Sequence, residues 1–182
     1  EVYESLFDII KVTTKATYKD SNPSWNWKDY DQSYKQEESN LFYHQNVAHD
    51  FFTKGDPFDI VDLNYPLQSY VQFTTSSGKP SCNAKSKCSF DLSMGFPTNK
   101  VSKLLFFGAN DKCEATSLFS DIIYHEYTHS AICHIYVWGL SPYSGETGGM
   151  DEGLADYFAA SINNNPCIDS DKYTEDCMRY LK

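Results

Sequence analysis

"YHEYTHSA", residues 124–131, sets two histidines four residues apart, with a glutamate directly after the first. The stretch around it, from Ser117 to Trp138, has helical periodicity. Leu118, Ile122, His125, His129 and Ile132 fall on related faces, Ser117 is placed to cap the N-terminus, and Gly139 follows as a terminator. On a helix, positions four apart differ by about 40° around the axis, so His125 and His129 aim at one point. Zinc at roughly 2 Å from each imidazole fits that spacing, and Glu126, about 100° round from His125, stands beside such an ion rather than on it. A general base belongs there. A chance HExxH arises about once in 100 to 200 chains of this size, so a third ligand must decide between a catalytic centre and a polar turn of a buried helix.

His134 cannot be that ligand, because it lies about 180° round the helix from His125. Beyond the first helix, "GLSPYSGETGG" (139–149) reads as a loop and "MDEGLADYFAASIN" (150–163) as a second helix. Leu154, Tyr157, Phe158 and Ser161 or Ile162 share one side of it, and "NNNP" closes it. This second helix offers Glu152, with Asp156 one turn later on the same face. Glu152 can complete the ligand set and leave a fourth position for water, while Asp156 accepts a hydrogen bond from a ligating imidazole and fixes its tautomer.

Upstream, "KVTTKATY" (11–18) reads as a strand and "KDSNPSWNWKDYDQSYKQEESN" (19–40) as a surface loop. In "NLFYHQNVAHDFFTKG" (40–55), Leu41, His44, Val47, Ala48 and Phe51 or Phe52 recur at helical intervals. A helix is expected from about Ser39 or Asn40 to Gly55, with His44 and His49 as packing or surface histidines. "FDIVDL" (58–63) and "SYVQFTT" (69–75) read as strands, "SSGKPSCNAKSKC" (76–88) as a loop, and "VSKLLFFGAN" (101–110) as a nearly apolar strand. The expected fold class is α+β. Residues 1–138 form a β-rich lobe ending in the zinc helix, and 139–182 carry the loop, the Glu-ligand helix and the start of a second lobe.

Composition narrows the partners. With 25 acidic against 15 basic side chains the net charge is −10, which argues against a nucleic-acid backbone as ligand. No apolar run approaches the roughly 20 residues of a membrane span. The 6 cysteines, at 82, 88, 113, 133, 167 and 177, contain no CxxC pair and read as disulfides, which places the protein outside the cell. Their connectivity is open at this level. "EVYESLFDII" (1–10) has no basic leader, so the numbering is expected to start on a processed chain.

The pairing of HEYTH with GGMDEGLADYFA resembles the gluzincin metallopeptidases, specifically the thermolysin and fungalysin families. The resemblance implies a thermolysin-like N-terminal lobe with a mixed or antiparallel sheet. It implies that His125, His129 and Glu152 hold zinc, that Glu126 activates water, and that Asp156 orients His125. "NLFYHQNVAHDFF" and "CNAKSKCSFDLSMGF…KLLFFGANDKC" are similar to the lobe before the zinc helix, which implies a substrate-binding edge strand at Cys82, Asn83, Ala84 and Lys85. The loop resembles a segment carrying a tyrosine that stabilises the oxyanion, here Tyr143. Asp121 matches a calcium ligand, but Asn163 stands where a glutamate is wanted, so calcium is left open. Those families add a downstream histidine and a helical lobe, whereas residues 153–182 contain no histidine. Three explanations follow: a separate C-terminal chain completing the cleft, an unusually short enzyme, or a degraded relative. The expected function is a secreted zinc endopeptidase acting on peptides or proteins. The alternative is a catalytically impaired zinc-binding module, and the intact Glu126 favours the enzyme. An aminopeptidase ranks last, since no GxMEN-like segment is present.

Overall fold

A computed structural model describes residues 2–4, 35–54, 63, 67–75, 78, 81–91, 99–136, 144–168 and 179–180. The strand expected over 11–18, residues 19–34 of the loop expected over 19–40, the terminators Gly55 and Gly139, Tyr143, and all of "FDIVDL" but Leu63 lie outside them. Strands β1 (Val2–Glu4), β2 (Gln68–Phe73), β3 (Ala84–Asp91) and β4 (Asn99–Phe107) form a mixed sheet in the order β1-β2-β4-β3. β1, β2 and β4 run parallel, and β3 is antiparallel to β4 at the sheet's edge. Helix α1 (Lys35–Lys54) lies between β1 and β2 along the chain, and the pair α2 (Ser120–Ile135) and α3 (Gly145–Asn163) follows β4. A two-stranded ribbon, β5 (Cys167–Ile168) with β6 (Arg179–Tyr180), comes last. The architecture is α+β.

β4 is the centre of the sheet, and its apolar run explains why. Leu104 and Phe106 point to the helices and join Val71, Leu41, Ala48, Phe52, Ile123 and Tyr127 in one core. Leu105 and Phe107 are buried on the opposite face, as alternation along a strand requires. A bulge keeps β2 in step: Tyr70 pairs with Leu105 and Phe73 with Phe107, so one extra residue is absorbed between them. That residue is Gln72 at φ 54, whose side chain turns to donate to Glu37 Oε1. The same side chain packs over Gly108, and a Cβ there would oblige Gln72 Oε1 to shift.

Four boundaries differ from the sequence expectation. α1 begins at Lys35 rather than near Ser39 or Asn40, because its first turn is polar and gives no apolar signal. That turn is fixed instead by Glu37, which accepts from Gln72 and from the Ser117 hydroxyl at 3.0 Å. Ser117 is therefore not the cap of α2. It sits in a single 3-10 turn, Thr116–Leu118, and Phe119 occupies the N-cap position without a side-chain bond. The expected loop over 76–88 gives way at Ala84 to β3, since register with β4 overrides the weak strand propensity of Lys and Ser. α3 starts at Gly145, inside the expected loop, with the Thr147 hydroxyl bonded to the Ser144 carbonyl at 2.9 Å. It ends as expected, on Asn164 in the left-handed conformation with Asn165 N–H returning to Ala160.

Disulfides fasten the sheet to its surroundings. Cys82–Cys113 joins the approach to β3 with the turn after β4, and Cys88–Cys133 ties β3 to α2. Cys167 is also disulfide-bonded, and no described cysteine is free.

Candidate metal centre

α2 is buried on nearly every side: every residue but Ser120, His129 and Ile135 is buried. Its buried polar residues must therefore find partners. Tyr124 finds His44 of α1, with hydroxyl and Nδ1 2.6 Å apart. Burial pushes the phenol up to about 12 and holds His44 below the usual imidazole range, so the phenol donates to a neutral ring. Thr128 bonds back to the Tyr124 carbonyl at 2.8 Å. His125 and His129 find α3.

His125 Nδ1 lies 2.8 Å from Asp156 Oδ1, and His129 Nδ1 lies 3.0 Å from Asp151 Oδ2. With both Nδ1 atoms donating to aspartates, each neutral ring presents a lone pair at Nε2. Those two Nε2 atoms face each other at 3.0 Å. Glu152 completes the cluster, its Oε2 3.3 Å from His125 Nε2 and its Oε1 3.7 Å from His129 Nε2. One ligand atom from each of His125, His129 and Glu152 lies within 4.8 Å of the others. Three converging lone pairs, set by three carboxylates and two imidazoles, suit a divalent cation with nitrogen and oxygen donors. Burial lowers the His125 pKa, but hydrogen bonds to Asp156 and Glu152 outweigh it and lift it to about 9.

Glu126 is buried and off the cluster. Desolvation raises its carboxyl above the ordinary range, opposed by the two histidines, while the Ser86 N–H of β3 donates to it. The acid is thus held between the imidazoles and the sheet edge.

The five residues expected at the centre, His125, Glu126, His129, Glu152 and Asp156, come together. Asp151 was missed. It is buried, and its Oδ1 has no hydrogen-bond partner among the described residues. Its only trace in the sequence is one acid set directly before another. Of the expected edge residues, Cys82 is disulfide-bonded and the Asn83 carbonyl accepts from Phe107 N–H and Thr116 Oγ. Ala84 is buried at the start of β3, and Lys85 is exposed. The backbone group that reaches Glu126 is one residue further on. Asp121 bonds its neighbour's amide, Ile122 N–H, at 2.8 Å, and Asn163 accepts from Ser120 Oγ at 3.2 Å.

A family model described as fungalysin metallopeptidase (M36) matches residues 8–179. The chain belongs to the fungalysin metallopeptidase family. No curated protein matches it. Membership makes a metal-dependent peptidase of this fold, and the His–His–Glu cluster is where its residues could hold the ion. The comparisons lend no support to a separate chain completing the cleft. Among the described residues no helix is long and apolar enough to cross a membrane.

Proposed function

We propose that this fungalysin is a secreted zinc endopeptidase in which His125, His129 and Glu152 hold the ion and Glu126 is the general base. The observation that carries the reading is the convergence of two Nε2 lone pairs and Glu152 beside a carboxylate that takes no part in that convergence. A structural ion has no use for such a neighbour. When bound, zinc supplies a Lewis acid that acidifies water and polarises a carbonyl.

The chain's own groups do the rest. Glu126 accepts the proton of the attacking water and returns it to the departing amine nitrogen. Asp156 and Asp151 hold the Nδ1 protons of His125 and His129 and so keep both rings in one tautomer. β3 offers its edge. Asn83 C=O bonds β4, so alternation turns the backbone groups of Ser86 outward, as its bond to Glu126 requires. An extended substrate joining that edge lies alongside Glu126. The disulfides support secretion.

The test is direct. The purified chain should bind one zinc and cleave unfolded protein; chelation should stop cleavage and zinc should restore it. Cleavage persisting at full rate without metal would overturn the reading. Asp156→Asn and Asp151→Asn should each weaken zinc about 10- to 100-fold, measured by competition with a fluorescent chelator. Unchanged affinity in both would mean that the aspartates do not orient the rings.

A further inference from the structure

The outer face of the β3–β4 pair carries a positive strip in a chain of net charge −10. Lys85 and Lys87 are exposed and two residues apart on β3, so they share a face. Lys103 of β4 lies directly opposite Lys87, and Leu105 opposite Lys85, which puts all three lysines on one side of the sheet. None of the three has a carboxylate partner among the described residues. Like charges directly opposite each other weaken a sheet. Lysine on an edge strand guards against edge-to-edge association, which accounts for Lys85 and Lys87. It does not account for Lys103, on an interior strand, set against Lys87.

These lysines flank Ser86, the residue whose amide meets Glu126. A peptide strand added to the β3 edge projects alternate side chains onto each face of the sheet, so residues opposite Lys85 and Lys87 stand on the lysine face, two positions apart. We propose that Lys85 and Lys87, with Lys103 behind them, select extended peptides that carry Asp or Glu at alternate positions. The substrate's carboxylates pair across the strands with Lys85 and Lys87 and relieve the repulsion between Lys87 and Lys103. The inference rests on the peptidase reading only for the strand that substrate joins. A nucleic acid would also answer a basic strip, but its phosphates would face the rest of an acidic molecule.

The experiment uses two fluorescein-labelled ten-residue peptides, one alternating Glu with Val and one alternating Gln with Val. Binding to the zinc-loaded chain is read by anisotropy at low and high salt. The Glu peptide should bind about two- to fivefold tighter per lysine pair, with the advantage fading in salt. Lys85→Glu with Lys87→Glu should reverse the preference, and Lys85→Ala with Lys87→Ala, which leaves the edge uncharged, should erase it. Equal binding of both peptides by the unaltered chain, or an advantage that survives both variants, overturns the proposal. Cleavage of the same peptides is scored separately. Loss of cleavage with the Glu preference intact would count against the peptidase reading alone, and cleavage without preference against the lysine strip alone.

Discussion

Glu126→Gln should remove peptide cleavage and leave zinc in place. The substitution keeps shape and volume in a buried position, and the amide oxygen still accepts the Ser86 N–H. What it loses is the capacity to take a proton from water, a contribution of about 10²- to 10⁴-fold in rate. Turnover of an unfolded protein and zinc content per chain are the two measurements. Turnover within a few fold of the unaltered chain would sink the role of base. Loss of zinc would instead make Glu126 part of what holds the ion, and the division of labour with Glu152 would have to be redrawn.

The second large effect is on stability. Breaking Cys88–Cys133, by Cys88→Ala with Cys133→Ala, opens a cross-link between residues 45 apart in sequence. On the chain-entropy account a loop of that length contributes about 4 kcal/mol, a large share of the roughly 5–15 kcal/mol that keeps a domain folded. The denaturation midpoint in urea should fall accordingly. An unchanged midpoint would show that α2 and β3 are held by packing alone. Activity should fall further than stability alone explains, because this bond joins the helix that carries Glu126 to the strand that carries Ser86. Comparing turnover well below the unfolding transition separates the two effects.

The legible parts of the site were those fixed within one helix. His125 and His129 share a face by helical geometry alone, and so do Glu152 and Asp156, which is why four residues could be placed before any fold was known. Asp151 was not legible, because it points about 100° away from Glu152 and only the docking of α3 on α2 brings it to His129. β3 was not legible in its own residues, and only the resemblance implied an edge strand at Cys82 to Lys85: Lys, Ser and Cys are weak strand formers, and its state is imposed by pairing with β4. The start of α3 hid in Gly145, Glu146, Thr147, Gly148 and Gly149, whose composition reads as loop. The central strand was plain, since a run such as Leu104 to Phe107 has few places to go but the middle of a sheet.

α2 has almost no solvent-facing surface, and that limits how this enzyme can change. A substitution there alters packing volume next to a ligand, so drift along α2 is penalised twice, in folding and in chemistry. β3 is the reverse case: its outward side chains can be exchanged at little cost while the backbone stays pinned at Cys88. Natural variants that acquire new tastes in substrate should therefore differ at positions such as Lys85 and Lys87 and keep α2 nearly constant. In a family alignment the substrate history of this enzyme would then be written on its strand edge, with its helix standing as the fixed clock face against which the changes are read.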